Sequence, residues 1–143
     1  MTSTAILLPV FALAGWTAIV LLMIPFRRVR AGFKGHVTPD DFRYGESANV
    51  PPHVSIPNRN YMNLLEVPVL FYVACLMLQA SGQGVTPAIL TTAWIYVALR
   101  IAHSIVHLGY NQVLHRLALF ATSNVVLVVL WVLAFRQLMV TAP

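Results

Sequence analysis

The sequence predicts an all-α integral membrane protein, a bundle of four spanning helices. Three observations lead there. Of 143 residues, 59% are hydrophobic and only 9% are charged, whereas soluble domains carry about 25% charged residues. Uncharged or nearly uncharged runs recur at about residues 5–26, 61–80, 88–108 and 117–136, each long enough to cross about 30 Å of hydrocarbon as a helix. The basic residues Arg27, Arg28, Arg30, Lys34, Arg43 and Arg59 all lie in the segment that follows the first run. That asymmetry sets topology and offers anionic head groups their counter-charge. With no second compositional regime and no internal repeat, residues 1–143 read as one domain.

The first run, Ala5 to Phe26, holds no charge. A cleaved signal peptide would carry Lys or Arg ahead of its apolar stretch, and Met1 to Thr4 has none. The run therefore reads as an uncleaved anchor, and Pro9 and Pro25 near its ends suit a membrane helix. Residues 27–58 form the long polar segment, rich in Gly, Pro, His and charge. Thr38-Pro39-Asp40-Asp41 resembles a helix start, while Pro51-Pro52 and Pro57 predict extended turns. A loop of this length in so small a protein is expected to fold over the membrane face and cover a site. Its even partner is the turn before Arg116, so both lie on one side, which the Lys and Arg distribution makes cytoplasmic. The amino and carboxyl termini then fall on the other side.

The second span opens on polar residues. Arg59, Asn63 and Glu66 stand at i, i+4 and i+7, which a helix stacks on one face. Ser81-Gly82-Gln83-Gly84-Val85-Thr86-Pro87 breaks the chain before the third span, whose own polar face comprises Arg100, His103 and His107. Arg116 opens the fourth span, with Phe120 and Asn124 further along the same face. Cys75, alone in an apolar run, has no intrachain disulfide partner and reads as buried filler.

Ionisable groups inside a bilayer persist where they face a bundle interior and have partners. Arg100 is the partner that the sequence offers Glu66. A buried ion pair that only fixes register is one reading of that stripe, and a ligand site is the other. His103 and His107, at i and i+4, can chelate a metal with Glu66 as a third ligand. Their sharing of one helix disfavours bis-histidine haem. No metal site is assigned from the residues themselves, because no group that would orient the ligands stands out. Arg116 reads either as an interfacial anchor or as a fixed cation that lowers the pKa of a substrate thiol. With so few Lys residues, and no Gly-rich phosphate loop or clustered cysteines, nucleic-acid binding is not indicated.

Arg59-x-x-x-Asn63-x-x-Glu66, Arg100-x-x-His103 and Arg116, in this order along four spans, resemble the MAPEG family, the membrane-associated proteins of eicosanoid and glutathione metabolism. The resemblance covers most of the chain. It implies a trimer of four-helix bundles that binds glutathione as co-substrate between neighbouring subunits near the cytoplasmic side. It also implies transferase or peroxidase activity on a lipophilic small molecule that arrives from the bilayer. Carried over, Arg59, Asn63, Glu66, Arg100 and His103 are glutathione-pocket residues, Arg116 stabilises the thiolate, and Arg30 and Asp41 match more loosely. His107 stands where several animal members have a tyrosine, Phe120 where some have another, and Asn124 where some have glutamine. His107 retains a hydrogen-bonding capacity that Phe120 lacks. The alternatives are a non-catalytic protein whose polar network only holds the bundle together, and a His-based metal-binding membrane protein.

Overall fold

The computed structural model describes residues 2–140. A 3-10 turn, Ser3–Ile6, leads into α1 (Leu7–Phe33). After a loop come α2 (Pro52–Leu65), α3 (Pro68–Ala80), α4 (Pro87–Leu108) and α5 (Val113–Val140). Helices α2 and α3 continue one another across a break, so four rods result. Residues 3–33, 52–80, 87–108 and 113–140 are each long and apolar enough to cross a membrane. The four-span, all-helical reading is borne out. Among the described residues, the only β feature is an isolated bridge between Arg43 and Gly45.

Burial is periodic along each rod. Leu13 and Val20 of α1, Phe71, Ala74 and Leu78 of α3, Ile89, Ala93 and Tyr96 of α4, and Leu127, Leu130 and Ala134 of α5 form one core. Their spacings of three, four and seven place them on a single stripe of each helix. Phe71 stacks on Tyr96 with ring centroids 4.8 Å apart, and Cys75 is buried among them. Large apolar side chains on the opposite faces, such as Leu22, Phe26, Val125, Val128 and Phe135, point outward. Hydrocarbon is the solvent in which such an exterior is stable.

Helix boundaries depart from the sequence expectation in two places. The first helix runs seven residues past Phe26, so Arg27, Arg28 and Arg30 are helical residues and not part of the loop. The second span begins at Pro52 instead of Tyr61, and the extended turns expected at Pro51-Pro52 and Pro57 are largely absent. Pro51 is extended, but Pro52 occupies the first helical position, where a missing N–H costs nothing. Pro57 lies inside α2 and deprives the carbonyl of His53, four residues back, of its helical donor. Arg27 of α1 supplies a replacement, Nη1 donating to His53 O at 3.2 Å.

The expected i, i+4, i+7 stripe also stops short. At Glu66 the backbone turns (ψ −91°) before Pro68 starts α3. The break ends the ladder before Val67 can donate to Asn63 O, and Pro68 has no N–H for Leu64 O, so the last α2 carbonyls lack helical partners. Arg100 of α4 donates to one of them, its Nη2 lying 2.5 Å from Asn63 O. Glu66 is left exposed. The anticipated Glu66–Arg100 ion pair does not form; among the described residues, the ion pairs are Arg28–Glu46 and Arg43–Asp40.

The loop between α1 and α2 folds back on those helices. Val37 and Val50 join Ala31 and Val54 in a small second core, with Phe42 packed against it. Thr38 and Asp41 make a reciprocal capping box on the 3-10 turn Pro39–Phe42. Asp41 also accepts from the Ser47 hydroxyl at 2.6 Å. These donors, Ser47 first and then Thr38, hold the Asp41 carboxyl below its ordinary pKa.

Candidate functional site

At the end of the bundle where α4 finishes and α5 starts, one face of α4 is polar and enclosed. Arg100, His103 and His107 are 1%, 3% and 2% exposed. Their i, i+3, i+7 spacing on a regular helix makes the face continuous. The two imidazoles are stacked, 5.9 Å between centroids and 19° between planes. Phe120 of α5 meets His103 edge-on, also at 5.9 Å, and lies 5.5 Å from the Arg100 guanidinium carbon. Ser104, one residue beyond His103, receives a hydrogen bond from the Asn60 side-chain amide of α2. Both groups are buried, and the bond ties α2 to α4 beside the site.

The turn Gly109–Gln112 is shorter than expected, since α5 already begins at Val113. Asn111 adopts a left-handed conformation (φ 52°), which asparagine tolerates better than most residues. Its N–H closes the turn on Val106 O at 2.8 Å. Its Oδ1 accepts from Nη1 of Arg116 at 2.8 Å. Arg116 is thereby held in the first turn of α5. A cation there opposes the helix dipole, so the position gains nothing for helix stability and suits an anion.

Two adjoining hollows open at this end. One, about 370 Å³, is lined on its polar side by Asn58, Arg59, Asn63, His107, Asn111 and Arg116. The other, about 240 Å³, is lined by Asn63, His103, Arg116, Val113, Leu117 and Phe120 and is mainly apolar. Asn63 and Arg116 border both. Five buried nitrogen positions around them have no hydrogen-bond partner: Nε and Nη1 of Arg100, Nε2 of His103, Nδ1 of His107 and Nε of Arg116. Native proteins rarely leave so many buried polar atoms unpaired in one place. Arg100 lines neither hollow; it stands behind Asn63 and Phe120.

The structure therefore gathers Arg59, Asn63, His103, His107 and Arg116 around one cleft, with Arg100 in its wall. Glu66 is turned out of the cleft by the break. Arg30 lies on α1 at a different hollow, and Asp41 is engaged inside its own loop. The part of the expected 27–58 loop that remains outside the α-helices, residues 34–51, lines neither part of the cleft; Asn58, from the end of that segment, does line it, but from α2. Among the described residues, no three His, Cys, Asp or Glu side chains gather as a metal-ligand set, so Glu66 does not join the two histidines. Sequence reasoning missed Asn111 and the Asn60–Ser104 link. The Gly-Tyr-Asn run before α5 was the available signal for Asn111, since asparagine is a turn residue that accepts positive φ.

These features define an integral membrane protein of the four-helix type with a partly unsatisfied polar cleft at its basic end. The sequence model described as the MAPEG family matches residues 6–136. The chain belongs to that family. No curated protein and no solved structure matches it.

Proposed function

We propose that the cleft binds glutathione, or a thiol peptide of the same chemistry, as its thiolate and transfers it to a lipophilic electrophile. The carrying observation is the pairing of a polar hollow with an apolar one across Arg116. A peptide with two carboxylates fits the first, where Arg59, Asn63 and His107 supply donors. An apolar acceptor entering from the bilayer fits the second, against Phe120, Leu117 and Val113. Arg116, bordering both, stands where sulfur and acceptor would meet. Its charge favours the ionised thiol. The thiol proton leaves to solvent, sulfur bonds to the electrophilic carbon, and the leaving group departs with its electron pair.

In this reading His103 and His107 orient the peptide through their unpaired nitrogens, and Arg100 fixes the wall through Asn63. Arg30, Asp41 and Glu66 are not assigned to the site within one chain; a trimer with the peptide seated between subunits is the arrangement in which they could reach it. The basic end faces the cytosol, which puts both termini across the membrane. Titration of detergent-purified protein with glutathione, followed by conjugation to an aromatic halide, tests the proposal. Saturable binding and turnover are expected, and a protein indifferent to thiols removes it.

The purely structural reading has one observation in its favour. Arg100–Asn63 and Asn60–Ser104 cross-link α2 and α4 without any ligand. Those links account for Asn60, Ser104 and one nitrogen of Arg100. They leave the other two nitrogens of Arg100 and those of His103, His107 and Arg116 unexplained.

A further inference from the structure

The turn that carries Asn111 holds another side-chain contact. The Tyr110 hydroxyl lies 2.8 Å from Nδ1 of His115. The two rings meet edge-on, 5.6 Å between centroids and 82° between planes. With the imidazole protonated at Nε2, the phenol donates and Nδ1 accepts. Both side chains are exposed, and neither lines a part of the cleft. What they do for a ligand there must pass through another residue.

The register of the contact identifies that residue. Tyr110 and Asn111 are consecutive in the turn, and His115 and Arg116 are consecutive at the start of α5. Tyr110 holds His115 while Asn111 Oδ1 holds Nη1 of Arg116, so two tethers, each spanning five residues, run side by side. The tether from Asn111 fixes only the tip of a long side chain. Where the base of that side chain points depends on the first turn of α5, whose leading N–H groups have no acceptor within the helix. That turn contains no acidic residue, and the cation of Arg116 opposes the helix dipole there. A helix start with so little of its own to hold it frays unless an outside contact closes it. We propose that Tyr110 and His115 are positioning residues for Arg116. Their hydrogen bond closes the first turn of α5 onto the α4–α5 turn and keeps the enclosed Nε of Arg116 at the junction of the two hollows. An interfacial aromatic anchor is the other use of an exposed tyrosine, but an anchor needs no histidine partner. The consequence for a bound thiol rests on the thiolate reading of the cleft; the consequence for Arg116 itself does not.

Nuclear magnetic resonance of the full chain in detergent, with isotopically labelled arginine, reads the hydrogen-exchange rate of the Arg116 Nε–H, whose signal is identified by its loss in Arg116→Lys. Tyr110→Phe and His115→Leu should each speed that exchange about threefold, the scale of one exposed hydrogen bond. The double variant should be no faster than either single, because the same bond is lost in all three. His115→Asn, which keeps an acceptor near the place of Nδ1, should exchange at close to the unmodified rate. In the thiolate titration, Tyr110→Phe and His115→Leu should raise the midpoint of bound glutathione by about half a pH unit and lower kcat at pH 7 about twofold, with KM for glutathione little changed. Unchanged exchange in both single variants overturns the proposal, whatever the protein does with thiols. So does a double variant whose effect is the product of the two singles, since the side chains then act separately. Faster exchange in a protein that binds no glutathione upholds the positioning role and removes only the reading of the cleft.

Discussion

Replacing Arg116 with glutamine should raise the pH at which a bound thiol ionises. A unit cation about 4 Å from a thiolate contributes about 1 kcal/mol in bulk water and about 4 kcal/mol at an effective dielectric constant of 20. Arg116 lies between these limits: its Nε is fully enclosed, yet the residue as a whole is only half-buried. About 2 kcal/mol is a reasonable figure, equivalent to between one and two pH units. Because the cation favours the charged form, the thiol of the unmodified complex should titrate near pH 7, against about 8.5 for a free thiol. In Arg116→Gln it should return toward the free value, while the peptide still binds through Arg59 and Asn63. The assay is the ultraviolet difference absorbance of bound glutathione thiolate, followed from pH 5 to 10. Conjugation rates at pH 7 should fall by roughly tenfold or more. Identical titration midpoints in the two proteins would refute the assigned role. A variant that loses assembly before it loses thiolate would favour the structural reading instead.

Asn111→Gly keeps the left-handed turn but releases Arg116, so thermal stability should change little while thiolate formation weakens; Asn111→Ala should in addition lose about 1–2 kcal/mol of stability, read from denaturation midpoints. Asn60→Ala strands the Ser104 hydroxyl in the core and should cost about 1–3 kcal/mol, whereas Asn60→Ala combined with Ser104→Ala should recover part of that loss. The depressed carboxyl of Asp41 contributes to loop order above the ordinary carboxylate range, and that contribution should vanish as pH falls through its lowered pKa. Limited proteolysis between Val37 and Val50 at descending pH reads this out; Asp41→Asn should show cleavage already at neutral pH, and a loop equally resistant in that variant would contradict it.

The number of spans and the polar faces of α4 and α5 were legible because they rest on length, charge depletion and a 3.6-residue period. Arg100, His103 and His107 needed only that period to be placed together. The start of α2 was not legible, since Pro51, Pro52 and Pro57 are local breakers. What lets Pro57 remain helical is a donor on α1, thirty residues earlier in the chain. Glu66 failed for the complementary reason. Spacing alone puts it on the stripe, but Pro68 interrupts the ladder and turns it outward. Asn111 was hidden in a turn whose geometry, and not its composition, gives it a role. Family membership was readable from the arrangement of Arg59, Asn63, Glu66, Arg100, His103 and Arg116 because it depends on order and spacing, not on exact helix ends.

The two arginines that bond to main-chain oxygens do related work. Arg27 caps the carbonyl orphaned by Pro57, and Arg100 caps one released ahead of Pro68. Breaks and arginines in this chain are therefore interdependent: the carbonyl left by the Pro57 imide and one left by the turn at Glu66 are each sutured by a guanidinium from another rod. A version of the protein with an uninterrupted helix from 52 to 80 would strip both arginines of their anchors. It would leave a cation marooned at position 100, so restoring helical regularity here should loosen the bundle and not tighten it.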